Sequence, residues 1–376
     1  MAIQKIFLPG QDPKGNPIYS LLVKRTYDIV PGGPCKRAAE DKKLHPADKH
    51  WGDPMNSSVR FETDHIPYKL QTDIAFDGKA YSPGGVPVPS LTCSVTVVLP
   101  PEPVPAGKYQ AVPPAPRALR KEILVVGERI CRFVEGGRIA ATAPAAFAVM
   151  DLKGENAYGG VDVWSDPKMP MAYPRNILGK GFVVKATPKS LHNLELPNIE
   201  DPKDRITAER LCIQETKLWE KQPIPTGLGW APKMMPPRSS LAGVMPGDEA
   251  LEKELREANA ALLDKKNREL YLAHPLPRMD FRWFNGAYLT APYLAGDETI
   301  RLENLTPEGV LEFRLPGEVP KVHIDMGLGP HDPVAVLHTV QIRGEDRQVD
   351  LVWRACVEYP GMDWLPQMTK LDLTVE

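Results

Sequence analysis

The sequence predicts a mainly β protein: antiparallel sheets of sandwich or open-barrel type, joined by long irregular Gly/Pro-rich loops, with one main α-helix. Short runs of β-forming residues recur along the chain, each bounded by the glycines, prolines, Asn or Asp that set turns. Proline accounts for 41 of 376 residues while hydrophobic content stays at 42%. Because proline is excluded from helix interiors and central strands, this composition implies many short strands with rigid connections rather than disorder. A long helical period occurs in a single stretch.

The first strand is expected at 18–29, where bulky and β-branched residues dominate. After a polar Pro/Gly/Lys stretch, further strands are expected at 58–62, 69–77, 91–99, 122–133 and 138–141. Asp77-Gly78 directly follows Ile74-Ala75-Phe76 and reads as a tight hairpin turn. The segment 99–117 holds too many prolines to pair in a central strand and reads as an exposed extended arm. From about 144 to 238, turn signals crowd together and regular periodicity is scarce, although Ala208, Leu211 and Cys212 carry the spacing of one short helix. Long irregular stretches are either functional or simple cover for a sheet.

The main helix is expected over 248–272. Asp248 can cap it, and Leu251, Leu255, Ala258 and Leu262 recur at helical spacing to form a narrow apolar stripe. His274-Pro275 would terminate it. Beyond 280 the chain returns to strands. FRWFNGAYL is rich in β-formers, TIRLENL and GVLEFRL flank a turn at 306–309, and the last hairpin turns at 343–348 with Val349, Leu351 and Trp353 on one buried face. On this reading 1–143 is an N-terminal β-rich region. Residues 144–376 hold a loop-rich middle, the helix and a C-terminal β region, packed with the first as one unit.

Composition narrows the function. A net charge of −2 with interspersed signs provides no positive field for a phosphate backbone, so nucleic acid is not expected as a partner. The N-terminal residues lack a signal-peptide apolar core, and no run of about 18 apolar residues is present, so neither secretion nor membrane insertion is expected and the cytoplasm is the expected location. Five scattered cysteines without CxxC spacing fit free thiols in a reducing compartment.

Candidate chemistry is sparse. His323, Asp325, His331, Asp332 and His338 carry the ligand types of a zinc or iron site, but their spacing matches no metal signature and a solvated loop with incidental histidines explains them better. The sequence has no GxSxG and no HExxH, and its glycines do not form a nucleotide-binding loop. Asp73/Asp77 or Glu200/Asp201 could serve as a glycosidase pair, yet Asp77 before Gly78 and Asp201 before Pro202 read as turn residues. No catalytic residue, cofactor or metal is therefore assigned. Aromatics concentrate in the irregular half, and Tyr158, Trp164, Tyr173, Trp230, Trp283 and Phe284 are the candidate partner-binding residues, with core packing as the alternative.

An ordered set of motifs spans the chain: YKLQTDIAFDGKAYSPGG (68–85), ILVVGERICRF (123–133), YGG and NILGKGF (158–160, 176–182), LPNIEDP (196–202) and LENLTPEGVLEFRLPG (302–317). With LLVKRTYDI (21–29) and LHTVQIRGEDRQVDLVWR (337–354), they resemble a family of bacterial proteins encoded in type VI secretion clusters beside effectors with PAAR-like tips. The family usually has an aspartate where this chain has His338. The resemblance implies a non-enzymatic adaptor or chaperone whose partners are a PAAR-like effector and the VgrG spike. The other classes open from the residues are a metal- or carboxylate-dependent hydrolase of cell-envelope material and a carbohydrate-binding β module.

Overall fold

The structure is a computed structural model that describes residues 4–54, 57–99, 117–134, 138–157, 183–184, 192–207, 212–213, 225–233, 238, 253–254, 257, 260, 280–327, 329–358 and 372–376. Three sheets organise it. Their strands, in chain order, are β1 (Gln4–Gln11), β2 (Pro17–Asp28), β3 (Thr72–Asp77), β4 (Ser90–Leu99), β5 (Arg117–Val126), β6 (Ile199–Glu200) and β7 (Leu289–Ala291). There follow β8 (Thr299–Glu303), β9 (Val310–Arg314), β10 (Val322–Asp325), β11 (Pro330–His331), β12 (Val336–Arg343), β13 (Gln348–Glu358) and β14 (Asp372–Val375).

The large sheet runs β1-β2-β13-β12-β3-β7, with the short strand Lys36–Arg37 also paired to β2. Its pairs are antiparallel except β12 with β3, which is parallel. A second sheet runs β6-β5-β4-β8-β9 and a third runs β11-β10-β14. Both larger sheets draw strands from each half of the chain. The protein is mainly β with several mostly antiparallel sheets, and no closed barrel forms among the described residues.

Strand alternation creates the core. Leu21, Val23 and Tyr27 of β2, Leu351 and Trp353 of β13, and Val340 and Ile342 of β12 belong to the same buried cluster as Cys93, Val95 and Val97 of β4 and Ile300 and Leu302 of β8. The inward-facing hydrophobics of the last hairpin are thus where the alternation places them. Its opposite face is not solvated as expected, since Asp350, Val352 and Arg354 are buried as well.

Four further expectations are corrected. Asp77-Gly78 is not a hairpin turn, because β3 does not pair with the next strand; Lys79–Tyr81 leaves to pair with Val149–Asp151. Gly78 is required there by close approach, since a Cβ would lie 2.7 Å from the Phe76 ring. Phe281–Phe284 forms a 3-10 turn capped by Asp280, which accepts from the Arg282 amide, rather than a strand. Cys212–Ile213 pairs in parallel with Val183–Val184, so the helical spacing around Cys212 does not make a helix there. The one main α-helix is not supported. Of its span only Lys253, Glu254, Glu257 and Ala260 are described; these are helical and exposed, with the rest outside the described residues.

Candidate functional site

Two regions concentrate chemistry: the outward face of the large sheet and a cleft beside the small third sheet. The outward face begins with alternation. Residues of β2, β13, β12 and β3 that point away from the core are Lys24, Thr26, Asp350, Arg354, Gln341, Arg343 and Asp73, and all are buried. Chain 45–69, together with residues 225–233, Arg238 and 280–288, supplies their partners. Lys24 Nζ lies 2.9 Å from Asp64 and 3.8 Å from Asp350. Arg343 bonds Asp350 at 2.8 Å, and the Thr26 hydroxyl donates to the same carboxylate. Lys69 donates to Asp73 at 2.6 Å and to the Thr339 hydroxyl, while Arg238 donates to Glu62 at 2.8 Å.

Burying so many charges is tolerable because each carboxylate already holds a cation. Burial still pushes the Glu62 carboxyl up, against the pull of Arg238. It lowers His45 to about 4, assisted by Lys24, and drives His338 well below the usual imidazole range, assisted by Lys69 and Arg354. Both rings are neutral at pH 7, and His338 contacts the Ile66 carbonyl at 3.1 Å. The ion pairs tie these charges to one another, although Glu62 Oε2, Arg354 Nε and the Trp283 indole N–H are buried without a hydrogen-bond partner among the described residues. The other suggested carboxylate pairs are similarly committed: Asp77 to Arg60, Glu200 to Arg129 and Arg205, and Asp201 to the Lys203 amide.

The candidate aromatics that are described sit in the cover of this layer. Trp230 donates its indole N–H to Gln341 at 2.9 Å and lies under the Lys69 ammonium, 5.0 Å from the ring centre. Trp283 and Phe284 meet edge to face at 5.4 Å, and Arg238 stacks over Trp283 while donating to its carbonyl. Tyr158, Trp164 and Tyr173 lie outside the described residues.

The cleft, of about 740 Å³, is open and built around β10. Val322, Ile324 and Met326 point into the core, so Lys321 and His323 face outward. Val319, Pro320, Pro333, Val334 and Ala335 supply an aliphatic wall, and Thr374 and Glu376 line the other side. Val334 is 82% exposed, the most exposed of the large hydrophobics among the described residues, and Val319 is 47% exposed. Of the five suggested metal ligands, only His323 and Asp332 are joined by a contact, Nδ1 to Oδ1 at 2.8 Å. His338 is instead buried in the large sheet, and among the described residues no three His, Cys, Asp or Glu side chains converge as a metal site.

Backbone pairing around β10 is incomplete. Lys321 and Glu376 exchange both amide bonds, so their backbone groups point toward β14. Alternation then turns the N–H and C=O of Val322 and Ile324 toward β11. Ile324 pairs with His331, and the same register would set Val322 against Pro333. Proline has no N–H to give. Among the described residues neither backbone group of Val322 bonds outside the strand ladders, and alternation from the Lys321–Glu376 exchange makes Val322 and Val375 of β14 a non-hydrogen-bonded pair. Sequence reasoning found His323 and Asp332 but missed Val319, Val322 and Val334; the available signal was Pro320 and Pro333 bracketing a short strand in both chain directions.

A family model described as "Uncharacterized protein conserved in bacteria (DUF2169)" matches residues 14–354, and the chain belongs to that family. No curated protein and no solved structure matches. No helix among the described residues is long and apolar enough to cross a membrane.

Proposed function

We propose that this member of the family is a non-enzymatic adaptor that holds a PAAR-like region of an effector in the cytoplasm and passes it to the VgrG spike of a type VI secretion system. The ordered motifs of the chain support the identity of the partners. The observation that carries a binding role is the cleft: an aliphatic wall, with Val334 at 82% exposure, stands open beside β10. The buried charges of the large sheet, by contrast, are spent on one another. Exposed aliphatic surface of this kind is stabilised by a partner that covers it. A glycan reader would stack sugars on aromatic rings, and the described lining has none.

The test is co-expression of the chain with a PAAR-like effector, followed by capture through a tag on the chain. Capture is expected, and Val334→Asp should lower the captured effector about tenfold while thermal unfolding is unchanged, since exposed substitutions fall within about 0.5 kcal/mol. Failure of the wild-type chain to hold the effector would overturn the adaptor reading. Full capture by a folded Val334→Asp chain would move the binding surface away from this cleft.

A further inference from the structure

We infer that the cleft beside β10 is a strand-acceptor site, and that its occupant is a short extended segment of the partner protein, aliphatic at the residue opposite Val322 and acidic at the neighbour facing Lys321. The inference rests on the adaptor reading and adds how the partner is held. A strand laid beside β10 would use the unpartnered N–H and C=O of Val322 as its first two hydrogen bonds, in the place that Pro333 leaves unfilled.

Side-chain alternation supplies the rest. The residue opposite Val322 shares its inward face and meets aliphatic surface, which favours Val, Ile or Leu. Its neighbours turn outward beside Lys321 and His323. His323 is already tied to Asp332, whereas Lys321 is exposed and has no carboxylate partner among the described residues. A Glu or Asp on the incoming strand therefore complements the rim at Lys321 and sets the register.

The probe is an acetylated, amidated heptapeptide that alternates valine with threonine and carries one glutamate beside its central valine. Hydrogen exchange of the full-length chain is read at Val322 with and without it, and affinity is measured by fluorescence anisotropy. In the free chain the Val322 amide should exchange at least about tenfold faster than that of Ile324, and saturating peptide should slow it by a similar factor. A peptide with proline at the central position should bind about tenfold more weakly, because it cannot donate to the Val322 carbonyl. Pro333→Val restores an N–H at residue 333, lets β11 continue, and should reduce peptide binding while leaving thermal unfolding intact. Lys321→Glu should reverse the preference between the glutamate peptide and its lysine counterpart.

Absence of binding at millimolar peptide, an already slow Val322 amide in the free chain, or binding indifferent to both proline changes would each overturn the inference. These outcomes are separable from failure of the adaptor reading. A chain that captures effector without protecting Val322 keeps the adaptor and loses the strand site. A chain whose Val322 is protected by peptide, but which captures no effector, keeps the site and loses that cargo.

Discussion

Lys69 and Asp73 are both almost fully buried and meet at 2.6 Å. A pair in that position gains little over a matched apolar pair, but either member alone is an uncompensated charge. Lys69→Met should therefore lower stability by about 3–5 kcal/mol, and Lys69→Met with Asp73→Leu should recover much of it. Denaturant unfolding of the two variants checks this, and a single variant as stable as wild type would show that the pair is hydrated. His45 gives a pH signature. Its folded value near 4 lies below its unfolded value of 6.5, so the unfolded chain binds the proton first. Its contribution is complete above pH 6.5 and is lost as pH falls toward 4. Glu62 and Asp77, raised by burial, act in the opposite sense, losing stability as pH rises above their unfolded values. The isolating measurement is the difference between wild type and His45→Gln, expected to shrink steadily from pH 6.5 to 4. Lys24–Asp64 and Glu62–Arg238 could not be read from the chain, because they join residues that only the fold brings together. Asp77 looked like a turn residue because its cation, Arg60, lies on another segment.

Strands were the legible elements. Expected strands at 18–29, 69–77 and 91–99 correspond to β2, β3 and β4, since alternating or continuous β-formers between turn residues leave few alternatives. The β8/β9 hairpin also matches, its turn closed by Asn304 at φ 57° and Gly309 at φ 80°. Legibility failed where a neighbour decides the conformation. Gly78 suggested a hairpin through Asp-Gly chemistry, but the Phe76 ring lies against Gly78 and, from the other side, against Gly344. A Cβ at Gly344 would stand 2.8 Å from that ring. Gly344→Ala should consequently lower stability by about 1–3 kcal/mol, and Phe76→Leu in the same chain should relieve part of the clash. A Gly344→Ala chain with unchanged unfolding would mean that the ring moves freely. The cleft failed to appear in the sequence for a related reason: Pro333 was visible, but its pairing position opposite Val322 depends on the β10/β11 register.

At the scale of the molecule, the large sheet is sewn from the two ends of the chain. β2 pairs along its length with β13, from Ile18 against Glu358 to Asp28 against Gln348. Truncation before β12 should abolish cooperative unfolding, because β2 and β3 would lose their shared neighbours; a truncated chain with a sharp thermal transition would refute this. Contacts this distant in sequence also predict slow folding, in the millisecond-to-second range or beyond by stopped-flow refolding. The bond from Thr26 to Asp350 spans 324 residues. At roughly 5–20 residues per second, a ribosome needs on the order of 15–65 s between making one strand and making its partner. For that interval Leu21, Leu22 and Val23 can pair with β1 but not with β13, so one edge of β2 stays open and the nascent chain is a client for holding chaperones.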